Sequence, residues 1–284
     1  MEEQGLYPKI LDLARADSRI RACFLCGSRA DPGALRDRYS DYDILLAVED
    51  IRPFLEEETW LCSFGEPLLV QRPEDWYDKP YDPESRQPYT WLLQYPDGQR
   101  LDLQMVDLSC PQRLLERDGP RRILVDKDGL GERYPGGSET DYLVRRPGEK
   151  EFQDTRNEFW WLGCSVVKNI RRGELTYVKY LSERVQMDQL LKLLGWRIGA
   201  DHGFAITLGK YRRYLGRYLS DEEWSRLQSL YADGTMADLS EKLLRRGRWF
   251  LELEDQVGRR LGYPVDRKAG ERILAFWERF LESS

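Results

Sequence analysis

The chain is nearly without histidine. Of its 284 residues only His202 carries an imidazole, so a histidine-bound zinc site or a Ser-His-Asp triad has almost no material. His202 stands between Asp201 and Gly203, in a loop context after a helical stretch. Glycine-rich nucleotide motifs are also missing. Neither G-x-x-x-x-G-K-[ST] nor G-x-G-x-x-G occurs, which removes the P-loop and Rossmann readings. Positive charge is not in excess: 44 Lys and Arg face 50 Asp and Glu, a net charge of −6. Nonspecific nucleic-acid binding needs a basic face, and this composition argues against one. It suits a cationic small partner, and it equally suits plain solubility. No apolar run reaches the 18 or so residues of a membrane span. The acidic start, Met1-Glu2-Glu3-Gln4, has no signal-peptide pattern, so the expectation is a cytoplasmic protein. Cysteine is sparse and odd in number, five in all, as for reduced thiols. Cys23 and Cys26 form a C-x-x-C inside a predicted strand, where positions i and i+3 face opposite sides.

What is present divides by its hydrophobic period. Up to about residue 146, short apolar runs alternate with turn signals. Strands are expected at Ile20–Cys26, Tyr42–Val48, Glu66–Gln71, Tyr89–Tyr95 and Arg100–Val106, the last two joined by the turn Pro96-Asp97-Gly98-Gln99. Helical spacing appears at Leu6–Ala16, Arg29–Leu35, Ile51–Phe64 and Pro111–Glu116. The stretch 126–146, with Tyr134-Pro135-Gly136-Gly137-Ser138, reads as a connection. Beyond Pro147 strand-like runs stop. Helices are expected over 151–170, 175–194, 221–231, 236–258 and 267–281. The fold class is therefore α+β: a mixed-sheet domain, 1–146, followed by an all-helical bundle, 147–284.

The chemistry concentrates between residues 27 and 43. A strand ends at Gly27-Ser28, a polar stretch follows, and Asp41-Tyr42-Asp43 opens the next apolar strand. Gly27 lets the backbone turn sharply, and Ser28 adds a hydroxyl and an N–H. If Arg29 opens a helix, its unpaired N–H groups favour a phosphate, and its guanidinium adds a cationic contact. Asp41 and Asp43 share one face of the strand, with Tyr42 opposite. Two adjacent carboxylates are costly to hold without a cation. Asp102, a charge inside the apolar run Leu101–Val106, is the candidate third ligand, and Asp107 at the strand's end a poorer one. Three oxygen donors without His or Cys suit Mg²⁺ rather than zinc. The plain structural alternative makes Asp41 a turn residue, Asp43 a strand start and Asp102 an edge residue facing water.

These motifs resemble the nucleotidyltransferase superfamily that includes DNA polymerase β, on Gly27, Ser28, Asp41, Asp43 and Asp102. More closely, the chain resembles the aminoglycoside 6-adenylyltransferases, the streptomycin adenylyltransferases. The resemblance rests on Leu25-x-Gly27-Ser28-Arg29-Ala30, Asp41-Tyr42-Asp43-Ile44, Phe64-Gly65, Gln71-Arg72-Pro73-Glu74-Asp75, Leu101-Asp102-Leu103, Val125-Asp126-Lys127-Asp128, Asn157-Glu158-Phe159-Trp160, Val167-Lys168, Gly209-Lys210 and Arg217-Tyr218-Leu219. It implies a polymerase β-like N-terminal domain, ATP as co-substrate, Mg²⁺ as cofactor, and transfer of AMP to a hydroxyl of an aminoglycoside, most simply the 6-hydroxyl of streptomycin. A different small-molecule or protein acceptor, or a non-catalytic nucleotide-binding regulator on the same fold, are the alternatives. A monomer or weak homodimer is expected.

In the helical half, Glu158, Trp161, Ser165, Lys168 and Arg172 fall within an arc of about 80° on one helix. Phe159, Leu162, Val166 and Ile170 form a separate apolar face. The resemblance implies that Lys168 meets the triphosphate. A base must take the proton of the attacking hydroxyl. Asp102, by superfamily analogy, and Glu174, which opens the next helix, both remain candidates. Most of the aromatics Trp160, Trp161, Trp196, Tyr211, Tyr214, Trp224 and Trp249 are expected in helix packing. Asp75, Asp78 and Asp82 are possible holders of cationic groups. The stretch Tyr177-Val178-Lys179-Tyr180 is neutral or basic where family members often carry further acids.

Overall fold

A computed structural model describes residues 5–34, 36–76, 78–116, 119–136 and 143–282. The chain divides into two compact units, Met1–Asp141 and Tyr142–Ser284.

The first unit is built on a six-stranded sheet: β1 (Ile20–Cys26), β2 (Tyr42–Val48), β3 (Leu69–Gln71), β4 (Tyr89–Gln94), β5 (Arg100–Asp107) and β6 (Arg121–Asp126). Their order across the sheet is β3-β4-β5-β2-β1-β6, antiparallel throughout except the central pair β2–β5. Both faces of the central strands are buried, which is why β1 and β2 read as nearly continuous apolar runs. One face, with Leu25, Ile44, Trp91, Leu101 and Leu103, packs on Leu6 and Ile10 of α1 (Leu6–Ala16) and on Phe54 and Phe64. The other carries Ala22, Phe24, Cys26, Leu45 and Val106 under Leu114 and Leu130. Cys23 and Cys26 accordingly lie in different clusters on opposite faces. Burial pushes the Cys23 thiol far above its usual range, as for an inert core thiol.

Several elements differ from expectation for identifiable reasons. The helix after β1, α2, is a single turn, Gly27–Ala30, and not Arg29–Leu35; Leu35 lies outside the described residues. Ile51–Phe64 splits into α3 (Arg52–Glu56) and a 3₁₀ turn, Glu58–Phe64. Between them Glu57 is extended, while Trp60 packs edge-on against Phe54, Phe64 and Trp91 and donates to the Phe54 carbonyl. The aromatic packing outweighs helix continuity. β3 is only three residues long. β6 was not expected at all, because its Arg-Arg start and exposed Ile123 lack a buried face. α4 (Leu130–Arg133) forms inside the stretch expected as a connection, seeded by Asp126, which accepts from the N–H groups of Leu130 and Gly131 at 2.9 Å each.

The second unit is helical: α5 (Glu149–Arg172), α6 (Leu175–Lys179), α7 (Met187–Asp201), α8 (Asp221–Gln228), α9 (Met236–Leu261) and α10 (Arg267–Glu282). Its core stacks Phe159 on Phe250, ring centroids 3.6 Å apart, with Trp160 edge-on to both. The expected single helix over 175–194 is interrupted by a π-helical segment, Tyr180–Gln186. The wider turn loosens the usual carbonyl pairing, and the fully buried Arg246 compensates, donating to the carbonyls of Ser182 (2.9 Å) and Leu230 (2.8 Å). Glu254, also fully buried, accepts from Arg156 at 2.9 Å and from the Trp160 indole at 3.2 Å. Among the described residues no helix is long and apolar enough to cross a membrane.

α5 and α10 approach closely at Gly163, where a Cβ would stand 1.9 Å from Cζ2 of the buried Trp277. Gly163→Ala gains about 1 kcal/mol of helix propensity. The overlap with a rigid ring wins, and a net loss of about 1–3 kcal/mol is expected, measurable by urea unfolding. A stability equal to or above that of the parent would refute the close approach.

Candidate active site

Asp43 and Asp102 are direct neighbours. β2 and β5 run parallel in a register that pairs Asp43 with Asp102, one step from Tyr42–Leu101 and Ile44–Leu103. Those flanking pairs point into the large core, so alternation turns both aspartates to the opposite face. There Cys26 and Leu45 end the second apolar cluster, and the carboxylates continue the face beyond it. Adjacent strands lie about 4.8 Å apart, so the two negative charges sit side by side. Asp41 precedes β2 by one residue.

The turn after β1 is shaped around Asp43. Cys26 pairs with Asp43 across β1–β2, which brings the next residue, Gly27, under the carboxylate. Gly27 has φ +62°, a left-handed conformation that favours glycine. A Cβ there would fall 2.1 Å from Oδ2 of Asp43. Both the backbone angle and the space therefore demand glycine. Ser28 follows in α2, half-buried, its hydroxyl without a hydrogen-bond partner among the described residues. The Arg29 guanidinium donates to the carbonyls of Ser40 (2.7 Å) and Asp41 (3.1 Å) and lies 3.8 Å from the Tyr42 ring centroid. It thus ties the 31–41 loop to α2 and sets the approach of Asp41 to the strand.

Burial is the largest cause that raises the Asp41 carboxyl above its ordinary range. The charges of Asp102 and Asp43 add to it, while Arg100 and Arg29 oppose it. The three aspartates therefore feel one another. Asp102 is held from its own strand: Arg100 donates to both its oxygens, at 2.6 and 2.9 Å. Among the described residues no three His, Cys, Asp or Glu side chains are gathered as a set that holds a metal ion. The donor chemistry nevertheless fits a hard divalent cation, since all three candidates are carboxylates and Asp41 is disfavoured as an anion, first by burial and then by the charges of Asp102 and Asp43. The Arg100 guanidinium occupies both oxygens of Asp102. Sequence reasoning missed Arg100; its only signal is the i, i+2 spacing from Asp102 on one strand.

The second unit holds the remaining candidates. On α5, Glu158, Trp161, Lys168 and Arg172 are exposed and Ser165 half-buried, while Phe159, Leu162, Val166 and Ile170 are buried, as the periodicity predicts. Trp161 is 69% exposed, whereas Trp160, Trp196 and Trp249 are buried. Lys168 forms no ion pair among the described residues. Glu174 caps α6 by position but not by a side-chain hydrogen bond, and is exposed. Of the loop acids, Asp75 accepts from the Tyr81 N–H (3.2 Å) and Asp82 from the Glu84 N–H (3.0 Å), so both serve loop structure. Within the 71–75 motif, Arg72 pairs with Glu58, and Glu74 accepts from the N–H and hydroxyl of Thr90.

The sequence profile described as Streptomycin adenylyltransferase matches residues 1–280. The chain belongs to that family. It is 31% identical to an aminoglycoside 6-adenylyltransferase of Bacillus subtilis (strain 168) over 92% of each chain. It is 30% identical to one of Campylobacter jejuni over 96% of this chain and 94% of the relative. A solved aminoglycoside 6-adenyltransferase from Bacillus subtilis aligns over 98% of each chain at 26% identity, with a TM-score of 0.48. The protein is thus an enzyme of the adenylyltransferase type.

Gly27→Ala is expected to displace the Asp43 carboxylate by about 1 Å or more and to lower adenylyl transfer by about 100-fold. Circular dichroism should show the fold retained. Unchanged turnover would overturn the seating of Asp43 on the turn.

Proposed function

We propose that the protein transfers AMP from ATP to a hydroxyl of an aminoglycoside, with the 6-hydroxyl of streptomycin as the foremost acceptor, and so inactivates the drug. The observation that carries this reading is the in-register pair Asp43–Asp102 beside the Gly27 turn. That arrangement sets a carboxylate pair next to backbone N–H groups suited to phosphate. Asp41, Asp43 and Asp102 would hold Mg²⁺, two ions in the full complex. When bound, these supply charge neutralisation and orientation of the triphosphate. Gly27 and Ser28 offer the cradle, Arg29 fixes the loop that carries Asp41, and Lys168 is the cation that the family resemblance implies for the phosphates.

The acceptor oxygen attacks the α-phosphorus, a P–O bond forms, the bond to the β-phosphate oxygen breaks, and pyrophosphate leaves. The hydroxyl proton passes to a carboxylate. Asp102 and Glu174 are the two candidates for that carboxylate. Trp161 offers an aromatic face for a sugar or adenine ring. The net charge of −6 suits a polycationic antibiotic. A reaction that consumes ATP belongs in the cytoplasm.

Incubation with ATP, Mg²⁺ and a panel of aminoglycosides should give an AMP mass increment on streptomycin. An adduct on another compound alone would change the acceptor and keep the reaction. No adduct on any compound would overturn the reading. Asp43→Asn should abolish transfer; retained activity would refute its place as a ligand.

A further inference from the structure

Arg100 and Asp102 are joined by a two-point ion pair within one strand. Residues i and i+2 share a face, so the guanidinium lies flat along β5 and covers the carboxylate edge-on. Such a pair links no two elements of the fold. Strand order and register are already set by the ladders on both sides of β5 and by the core beneath it. An intrastrand bridge on a partly exposed side chain, here 40% for Arg100 and 19% for Asp102, adds little to stability. Its effect falls instead on the acidic cluster. Arg100 is the one cation on the cluster's own strand, and its charge also acts on Asp41 and Asp43. It occupies both oxygens through which Asp102 would meet a metal. Arg100 stands at the start of β5, opposite Gln94, with its side chain partly in water, so it can withdraw by rotation without disturbing the core.

We propose that Arg100 is an internal stand-in for the metal: its guanidinium offsets one charge of the Asp41–Asp43–Asp102 cluster, at Asp102, in the metal-free enzyme and is displaced from Asp102 when a divalent cation binds. Arg100 then acts as a positioning residue that sets metal affinity. Without substrate, part of the cluster's negative charge is offset and metal binding is weakened by the competing ion pair. The inference rests on the proposed function for the identity of the cation.

The test measures Mn²⁺ binding to the full chain, without nucleotide or acceptor, by loss of the free-ion paramagnetic resonance signal. Arg100→Gln removes the competitor and should bind Mn²⁺ about ten-fold more tightly than the parent. Arg100→Lys keeps a charge but loses the two-point geometry and should fall between them. Metal-free Arg100→Gln should also melt lower and gain more in melting temperature on adding Mn²⁺. A merely structural arginine would give the opposite order, with affinity lost on substitution. Equal or weaker affinity in both variants overturns the role of Arg100 and leaves the metal site standing, provided that Asp43→Asn abolishes binding. No Mn²⁺ binding by any form overturns both.

Discussion

The site depends on a contact that only glycine permits. The Asp43 carboxylate occupies the volume where a side chain at position 27 would begin. The left-handed backbone at Gly27 turns the chain out of β1 directly beneath it. Everything else is arranged around this contact. The β1–β2 pairing brings residue 26 opposite residue 43, the β2–β5 pairing adds Asp102 alongside, and Arg29 ties down the loop that delivers Asp41. A shift of one residue in either ladder would send the aspartates into the large core and Tyr42 or Leu101 to solvent. The burial of Tyr42, Ile44, Leu101 and Leu103 is therefore what enforces the register of the aspartates. Hydrophobic packing on one face specifies charge placement on the other.

Close like charges are the cost of that register. An isolated pair of carboxylates on neighbouring strands would raise its own protonation or push the strands apart. Asp41 displays part of that tension in a carboxyl held above its ordinary range, by burial first and then, against Arg100, by the charges of Asp102 and Asp43. Arg100 relieves it by pairing with both oxygens of Asp102, and Arg29 by tying down the backbone that carries Asp41. The sheet can thus form without a metal while keeping carboxylates available to one.

How much of this was legible beforehand follows from what each signal encodes. Alternation and apolar runs carry face and burial, so Asp41, Asp43 and Asp102 could be singled out and the strands at 20–26 and 42–48 located to the residue. Alternation does not encode which strand lies beside which, so the pairing of Asp43 with Asp102 was open until the ladder was seen. Arg100 escaped for the same reason: a charged residue at a strand start looks like ordinary surface. β6 escaped because an edge strand with exposed side chains has no periodic signature. The π-helical segment at 180–186 escaped because one extra residue per turn hardly disturbs an apolar period. Its support, Arg246, lies some 60 positions away in sequence.

The two units differ in how freely their functional residues can change. In the first, the site residues are tied to backbone register and to a contact with no room for a Cβ, so substitutions there alter the fold's local geometry as well as its chemistry. On α5 the polar stripe and the core stripe are separate. Phe159 and Trp160 are buried in the aromatic cluster, whereas Glu158, Trp161 and Lys168 extend into solvent. Surface substitutions away from caps and buried networks usually change stability by less than about 0.5 kcal/mol. Residues on the exposed stripe can therefore vary while the helix still packs. The aspartates of the sheet have no such freedom, because register and space fix them. The sequence therefore speaks more clearly about the sheet, where a wrong residue breaks the packing, than about the exposed helix face, where it does not.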